Sequence, residues 1–310
     1  MAHIPVLLNE TLEYLNADKG GKFVDGTVGG GGHLRAILSR NKSNEVLGID
    51  LDQASLRKLE AELTAGGLSQ KTKLVSGNYA NIDQILQQVG WDQVDGILLD
   101  LGFSSLQLED SSRGFSFATD GPLDMRYDRS QTASAESVVN QYSPKDLEDI
   151  IENYGEERLN GRIAAAIVAA RKEKRITTTS QLVEIIKSAV PSSIRFKAND
   201  NIRRVFQAIR IEVNRELENL KSALPKMVSA LAPRGRLVII SFHSLEDRIV
   251  KEFFVSEAKD CICPVEFPTC VCGKTSTVRI LTRKVIKATD LETEANPRSK
   301  PAKLRALEKN

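Results

Sequence analysis

Along the first hundred residues, short apolar runs alternate with amphipathic stretches. Phe23-Val24, Val46-Leu47-Gly48-Ile49, Leu74-Val75 and Ile97-Leu98-Leu99 are brief and uninterrupted, and three of them run into Asp25, Asp50 and Asp100. Continuous runs of this kind predict strands buried on both faces, here at 22–24, 46–49, 73–75 and 96–99. The intervening segments 33–40, 53–65 and 81–89 have helical spacing. Leu56, Leu59 and Leu63 fall on one side of the second, and Ile82, Ile85, Leu86 and Val89 on one side of the third. Strand–helix alternation predicts an α/β, doubly wound parallel sheet covered on both faces.

The pattern changes after residue 104. Residues 104–132 are rich in Ser, Asp, Gly and Arg and read as a loop, of a length that is uncommon unless the loop is functional or disordered. From 134 to 220 the spacing is helical throughout, with one helix starting at Pro144 and others over 157–172 and 179–189. A strand signal returns at 237–240, after the turn Pro233-Arg234-Gly235, and 277–281 is the last strand candidate. The parsimonious organisation is one α/β domain, 1–105 with 210–310, interrupted by a helical insertion at 106–209.

Charge adds a partner class to this picture. The chain of 310 residues has a net charge of only +2, but residues 1–105 carry nine basic against thirteen acidic side chains, and 274–310 carry ten against four. A basic tail suits a polyanion, or is simply a solvated terminus. No apolar run approaches the ~18 residues that span a bilayer. No basic segment followed by a long apolar stretch opens the chain, so a cytoplasmic protein is expected. The four cysteines all lie between 261 and 272, as two pairs with one residue between partners. Four thiolates can bind zinc, but zinc pairs usually have two or more intervening residues. No metal is therefore expected among the site residues, and a small buried cysteine cluster is expected instead.

The candidate chemistry sits at the strand ends. Asp25-Gly26-Thr27-Val28-Gly29-Gly30-Gly31-Gly32-His33 connects the first strand to a helix. Glycines there let the backbone turn sharply and approach a ligand closely. In open α/β sheets the ligand crevice lies beyond the carboxyl ends of the strands. Asp50 ends the next strand, where a carboxylate can accept hydrogen bonds from ribose hydroxyls. A dinucleotide fingerprint would need a third glycine where Leu34 stands, and Asp25 would repel a pyrophosphate. That argues against the rival reading, an NAD-dependent oxidoreductase. A ligand bearing an ammonium and a sulfonium suits Asp25 better, and S-adenosyl-L-methionine is such a ligand. Gly273-Lys274-Thr275 imitates the end of a phosphate-binding loop, but Pro268 occupies the required glycine position. Asp100-Leu101-Gly102-Phe103 ends the fourth strand. Enzymes that methylate exocyclic amino groups often place an acceptor there, followed by small residues and an aromatic. The amino lone pair is conjugated into the ring, and an acceptor for its N–H favours pyramidalisation. Asp100 either plays that part or binds cofactor, and Phe103 could stack on a base. Phe115, Phe117, Arg113, Asp120, Asp124 and Arg126 in the following loop suit a lid over a flipped base, or an ordinary ordered loop with its aromatics in the core.

These motifs resemble a known family. Asp25-Gly26-Thr27 through Gly31-Gly32-His33, Asp100-Leu101-Gly102 with Ser104-Ser105, and Asp120-Gly121-Pro122-Leu123-Asp124-Met125-Arg126 are among them. Ser241-Phe242-His243-Ser244-Leu245-Glu246-Asp247-Arg248 and Asn296-Pro297-Arg298-Ser299 complete the set. The chain is similar, over nearly its whole length, to the ribosomal RNA small subunit methyltransferase H family, cytosine-N4-specific and of MraW type. The resemblance implies a class I, Rossmann-like methyltransferase fold with an inserted all-helical domain for RNA recognition. It implies S-adenosyl-L-methionine as cofactor and a cytosine in the decoding region of 16S ribosomal RNA as target, within the 30S subunit, with no membrane and the oligomeric state open. It places cofactor contacts at Gly31, Gly32, His33, Asp50, Tyr79, Asp100 and Gln107. Asp100 is the first candidate for the catalytic acceptor and Asp124 the second. Phosphate contacts are expected among Arg171, Lys172, Lys174 and Arg175, then Arg279, Arg283 and Lys284, then Arg298, Lys300, Lys303 and Arg305. His243 is expected to be structural, with Ser244 capping a helix that runs to about Ala258. A non-enzymatic alternative is an assembly factor that binds RNA tightly without needing Asp100.

Overall fold

The computed structural model describes residues 5–103, 105–264 and 269–310, with all their side chains except those of Ser105 and Leu106. Ser104 and Pro268, both used in the sequence reading, lie outside the described residues. The chain forms two compact units. One runs to Gly102 and resumes at Leu217, and the other spans Phe103–Glu216. Hydropathy put the second junction at 209/210. The difference arises because helix Ala198–Asn214 buries Ile202, Val205, Phe206, Ile209 and Val213 in the core of the helical unit. Helical spacing shows that a face is buried, not which core buries it.

The first unit is built on a seven-stranded sheet. Its strands are β1 (Lys22–Asp25), β2 (Glu45–Asp50), β3 (Thr72–Ser76), β4 (Val94–Asp100), β5 (Leu231–Ser241), β6 (Val278–Ile280) and β7 (Lys303–Lys309), in spatial order β3-β2-β1-β4-β5-β7-β6. β1 to β5 are mutually parallel, whereas β7 runs antiparallel to both β5 and β6. The expected parallel sheet is present in β1 to β5, and β7 makes it mixed at one edge. Both faces are covered, as the unbroken apolar runs required. Phe23, Val46, Leu98 and Val238 face one core with Leu34 and Ile37, while Val24, Leu47, Ile97 and Ile239 face another with Leu224 and Phe254. Asp52 starts helix Gln53–Ala65 by accepting from the N–H groups of Ala54 and Ser55, and Gly90 ends helix Ile82–Val89 in the left-handed conformation. The turn expected at 233–235 is an irregularity inside β5, which already pairs at Leu231 and shifts register opposite Val94–Gly96.

The second unit packs helices Ala135–Gln141, Pro144–Asn153, Asn160–Glu173, Thr179–Ala189 and Ala198–Asn214 around one apolar core. Ser134, Ser143 and Thr178 cap three of them, with Pro144 in the first turn of the second. Glu157, expected at the start of a helix, lies before it and is buried. Its carboxylate accepts from Asn201, from Arg204 and from the Leu159 N–H. The segment read as a loop is ordered without long elements, because side chains satisfy its carbonyls. Arg113 donates to the carbonyls of Arg126 and Tyr127 at 2.9 and 3.0 Å, and Asn214 donates to that of Met125 at 2.8 Å. Among the described residues no helix is long and apolar enough to cross a membrane.

Candidate active site

The parallel strands bring three carboxylates to one end of the sheet, because β1, β2 and β4 each finish on an aspartate. The loop after β1 is bound to its neighbours through its backbone. The N–H of Gly26 donates to Leu98 O at 2.9 Å, and that of Val28 to Ile49 O at 3.0 Å. Gly31 has φ +75°, and a Cβ there would stand 2.4 Å from a Leu59 methyl. A side chain at this position would be strained in conformation and in space.

Each strand-end carboxylate has a different environment. Asp50 accepts from the N–H of Gly29 at 2.7 Å through one oxygen and from the N–H of Asp52 at 2.8 Å through the other. Burial holds its pKa above the usual range despite those donors. It thereby fixes the glycine loop while standing at the end of β2. Asp25 is almost wholly buried, and desolvation pushes its carboxyl up to about 7, with the nearby Asp100 and Asp50 charges adding to it against His33 and the Thr27 N–H. Asp100 is held by its backbone, whose N–H donates to Thr27 Oγ1 at 2.7 Å. Its Oδ2 lies 3.5 Å from His33 Nε2, an ion-pair distance longer than a good hydrogen bond. Its Oδ1 is buried and has no hydrogen-bond partner among the described residues, and the same holds for both ring nitrogens of His33. Burial disfavours charge on His33, but the Asp100 and Asp25 carboxylates outweigh it and raise its pKa. Buried polar atoms are ordinarily satisfied, so unsatisfied ones clustered at strand ends mark a place prepared for a ligand.

Of the sequence-derived cofactor residues, Gly31, Gly32, His33, Asp50, Tyr79 and Asp100 all belong to this unit, with Tyr79 opening a short turn after β3. Tyr79 Cβ lies 3.4 Å from where a Gly26 Cβ would be, so it borders the loop. Gln107 belongs to the helical unit, in the short helix Ser105–Glu109, and is buried there. Leu34, which replaces the third glycine of a dinucleotide site, is fully buried in the core. Thr27 escaped the sequence reading as a functional residue. Its signal was its place beside Asp25-Gly26, but only the pairing of β1 with β4 aims its hydroxyl at Asp100.

Asp124 differs from Asp100. Its carboxylate accepts from Arg126 Nε at 2.5 Å and lies 3.5 Å from Arg129 Nε, and its own carbonyl accepts from the Ala135 N–H. It organises the 120–135 region of the helical unit. Phe103, read as a base-stacking aromatic, stacks on Phe115 at 5.6 Å, Phe115 on Tyr127 at 5.5 Å, and the Arg210 guanidinium sits 5.0 Å from the Phe103 ring centre. Phe115 is therefore a core residue and not part of a lid. Phe117 is 37% exposed and meets Phe206 edge-on. The helix after β5 is capped by His243, not Ser244. His243 accepts from the Glu246 N–H while Glu246 accepts from the His243 N–H, a reciprocal capping box. Several basic candidates are occupied. Arg175 pairs with Glu136, Arg279 with Glu308, and both Lys303 and Arg305 with Asp247. Lys172, Lys174, Arg283 and Lys284 are exposed and have no ion pair among the described residues. The cysteines are mostly exposed, so the expected buried cluster is wrong as to its burial.

A model of the MraW methylase family matches residues 1–310. The ribosomal RNA small subunit methyltransferase H of Carboxydothermus hydrogenoformans is 48% identical over 308 residues, which cover 99% of this chain and 98% of that protein. The protein of the same name from Lachnospira eligens is 46% identical over 308 residues, covering 99% and 97%. Among solved structures, an rRNA methylase from Streptococcus thermophilus aligns at a TM-score of 0.45 and 12% identity, covering 99% of each chain.

Proposed function

The chain belongs to the MraW methylase family, and from that premise we propose that it methylates the N4 amino nitrogen of a cytosine in the decoding region of small-subunit (16S) ribosomal RNA. The cofactor is S-adenosyl-L-methionine, which supplies an electrophilic methyl on a sulfonium and keeps the C–S electron pair as the methyl departs. The carrying observation is Asp100. It ends β4 with a buried Oδ1 that has no hydrogen-bond partner among the described residues, beside His33. That oxygen can accept an N–H of the amino group, which lets the nitrogen pyramidalise and turn its lone pair toward the methyl. As the new N–C bond forms, the nitrogen sheds one proton, and Asp100 is the acceptor. His33 offsets the negative charge that Asp25 and Asp100 concentrate there. General-base assistance of this kind is worth about 10²–10⁴ in rate, and orientation of the two reactants contributes more.

For the cofactor, Asp50 serves the ribose hydroxyls, Tyr79 lies along the adenine, and Gly31 and Gly32 let the ligand approach the backbone. Asp25, the buried carboxylate, provides the negative charge that suits a cationic ligand. The helical unit and the exposed lysines and arginines hold the RNA, with the 30S subunit in the cytoplasm as the setting. Asp124, engaged by two arginines, shapes the helical unit and leaves the acceptor role to Asp100.

The test is transfer of labelled methyl to 30S subunits lacking the modification, followed by nucleoside mass spectrometry, with Asp100→Ala in parallel. N4-methylated cytidine from the wild type, lost in a variant that still binds cofactor, is the expected result. Failure of the folded, cofactor-bound wild type to methylate either subunits or free ribosomal RNA would overturn the substrate and favour an RNA-binding assembly factor.

A further inference from the structure

We propose that Cys261, Cys263, Cys270 and Cys272 form a tetrathiolate site for a single zinc ion, which closes the segment between helix Ser244–Glu257 and β6. The four Sγ atoms all lie within 4.8 Å of one another, with Cys270–Cys272 at 3.6 Å and Cys261–Cys272 at 3.8 Å. Four thiolates bonded to zinc at ~2.3 Å in a tetrahedron stand ~3.8 Å apart, so the cage has the size of one ion. An iron–sulfur cluster places several irons and sulfides between its thiolates and needs a wider cage.

The backbone supports the same arrangement. Each Cys-x-Cys turn donates the N–H of its central residue to a sulfur of the other turn. Ile262 donates to Cys272 Sγ at 3.4 Å, and Val271 to Cys263 Sγ at 3.4 Å. The Cys263 N–H donates to Cys261 Sγ at 3.3 Å. Amide donors to sulfur stabilise thiolate charge and orient metal ligands. The short spacing that argued against a metal is thus offset by the two turns facing each other.

Packing among the described residues does not explain the assembly. Among the described residues from 259 to 277 none is buried, and Ile262 and Val271, between the cysteines, are 61% and 71% exposed. With no apolar core among the described residues to hold four sulfurs together, ligation is the source of the ordering energy, as in small zinc-organised segments. Two disulfides are the alternative covalent solution. They would draw two pairs to ~2.05 Å and push the pairs apart, instead of leaving all four sulfurs mutually close. Four soft thiolates in a closed tetrahedron select zinc over magnesium or calcium, which prefer oxygen ligands. All four positions are taken by protein, which makes the site structural.

The full-length chain, purified under reducing conditions without chelator, is analysed for metal by mass spectrometry and for zinc release by a thiol-binding mercurial. About one zinc per chain is expected, with cobalt substitution giving the intense absorption of tetrahedral thiolate cobalt. Cys261→Ser with Cys272→Ser, one from each turn, lowers retained zinc at least tenfold against a competing chelator while the circular dichroism of the chain is unchanged. Zinc also slows proteolysis within 259–277 at least tenfold in the wild type, a readout that needs no variant. A wild-type chain that retains no zinc, and whose four thiols react with a disulfide reagent equally fast with and without added zinc, overturns the proposal. So does a mass spectrum of the reduced, purified chain in which the four cysteines reform two disulfides and exclude zinc.

Discussion

The strand ends of the α/β unit and the 110–135 region of the helical unit look alike in sequence, each a stretch of glycines, acids and basic residues. Their interiors differ. In the helical unit Asp124, Arg126 and Asn214 spend their polar atoms on carbonyls and on one another. At the strand ends, Asp100 Oδ1 and both His33 nitrogens are buried without a hydrogen-bond partner among the described residues. Satisfied polar groups build a fold, whereas unsatisfied ones store a capacity that a ligand can use. The contrast is the ground on which we propose Asp100 for chemistry and Asp124 for structure, though both are aspartates in family-like motifs.

The sharpest way to break that contrast is Asp100→Asn. Single-turnover methyl transfer is expected to fall by about 10²–10⁴, with the urea midpoint of the chain nearly unchanged. Equal activity of this variant would remove Asp100 from the chemistry. Asp124→Asn should do the reverse. It leaves Arg126 and Arg129 facing a neutral amide, and the cost is about 2–3 kcal/mol in equilibrium unfolding, with the rate per folded molecule within tenfold of wild type. A large rate loss without destabilisation would return Asp124 to the catalytic set.

Asp25 sharpens the comparison through pH. Its folded pKa of about 7 lies above the ordinary value of 3.8, so the folded protein binds the extra proton. Its contribution to stability is fully present at low pH and is lost as pH rises from about 4 through 7. Thermal or urea unfolding of the ligand-free chain should lose roughly 2 kcal/mol from this group between pH 5 and 8, and Asp25→Asn should flatten that slope. Cofactor affinity should move the opposite way, strengthening as pH rises through 7, because the ionised carboxylate suits a cationic ligand. A wild-type slope identical to that of Asp25→Asn would show that the carboxyl titrates elsewhere. The smallest expected effect separates two glycines in left-handed conformations. At Gly31 a Cβ meets the movable end of Leu59, while at Gly114 it meets the Pro122 carbonyl at 2.2 Å. Gly31→Ala should cost about 1 kcal/mol in stability and weaken cofactor binding measured by calorimetry. Gly114→Ala should cost more in stability and leave cofactor affinity unchanged.

Much of this was legible in the linear chain where local rules and tertiary context agree. Buried strands show as unbroken apolar runs, so β1, β2 and β4 were found together with the aspartates that end them. β7 was not, because Lys303–Lys309 is made of helix-forming residues and becomes a strand only by pairing with β5 and β6. Helix Leu8–Leu15 is also absent from the sequence reading, because no apolar strand run precedes it to frame it as the helices between strands are framed. His243 took the cap that Ser244 was expected to fill, for the choice depends on where the backbone turns.

By itself, then, the sequence determined the alternation of elements, the glycine loop, the strand-end acids and the family motifs, all of which depend on neighbours within a few residues. Only the tertiary structure decided which of those acids find partners, which core receives helix Ala198–Asn214, and how two cysteine turns face each other. Hydrogen-bond satisfaction at the strand ends is set by groups far apart in the chain. Asp100 and Thr27 stand 73 residues apart yet share a bond.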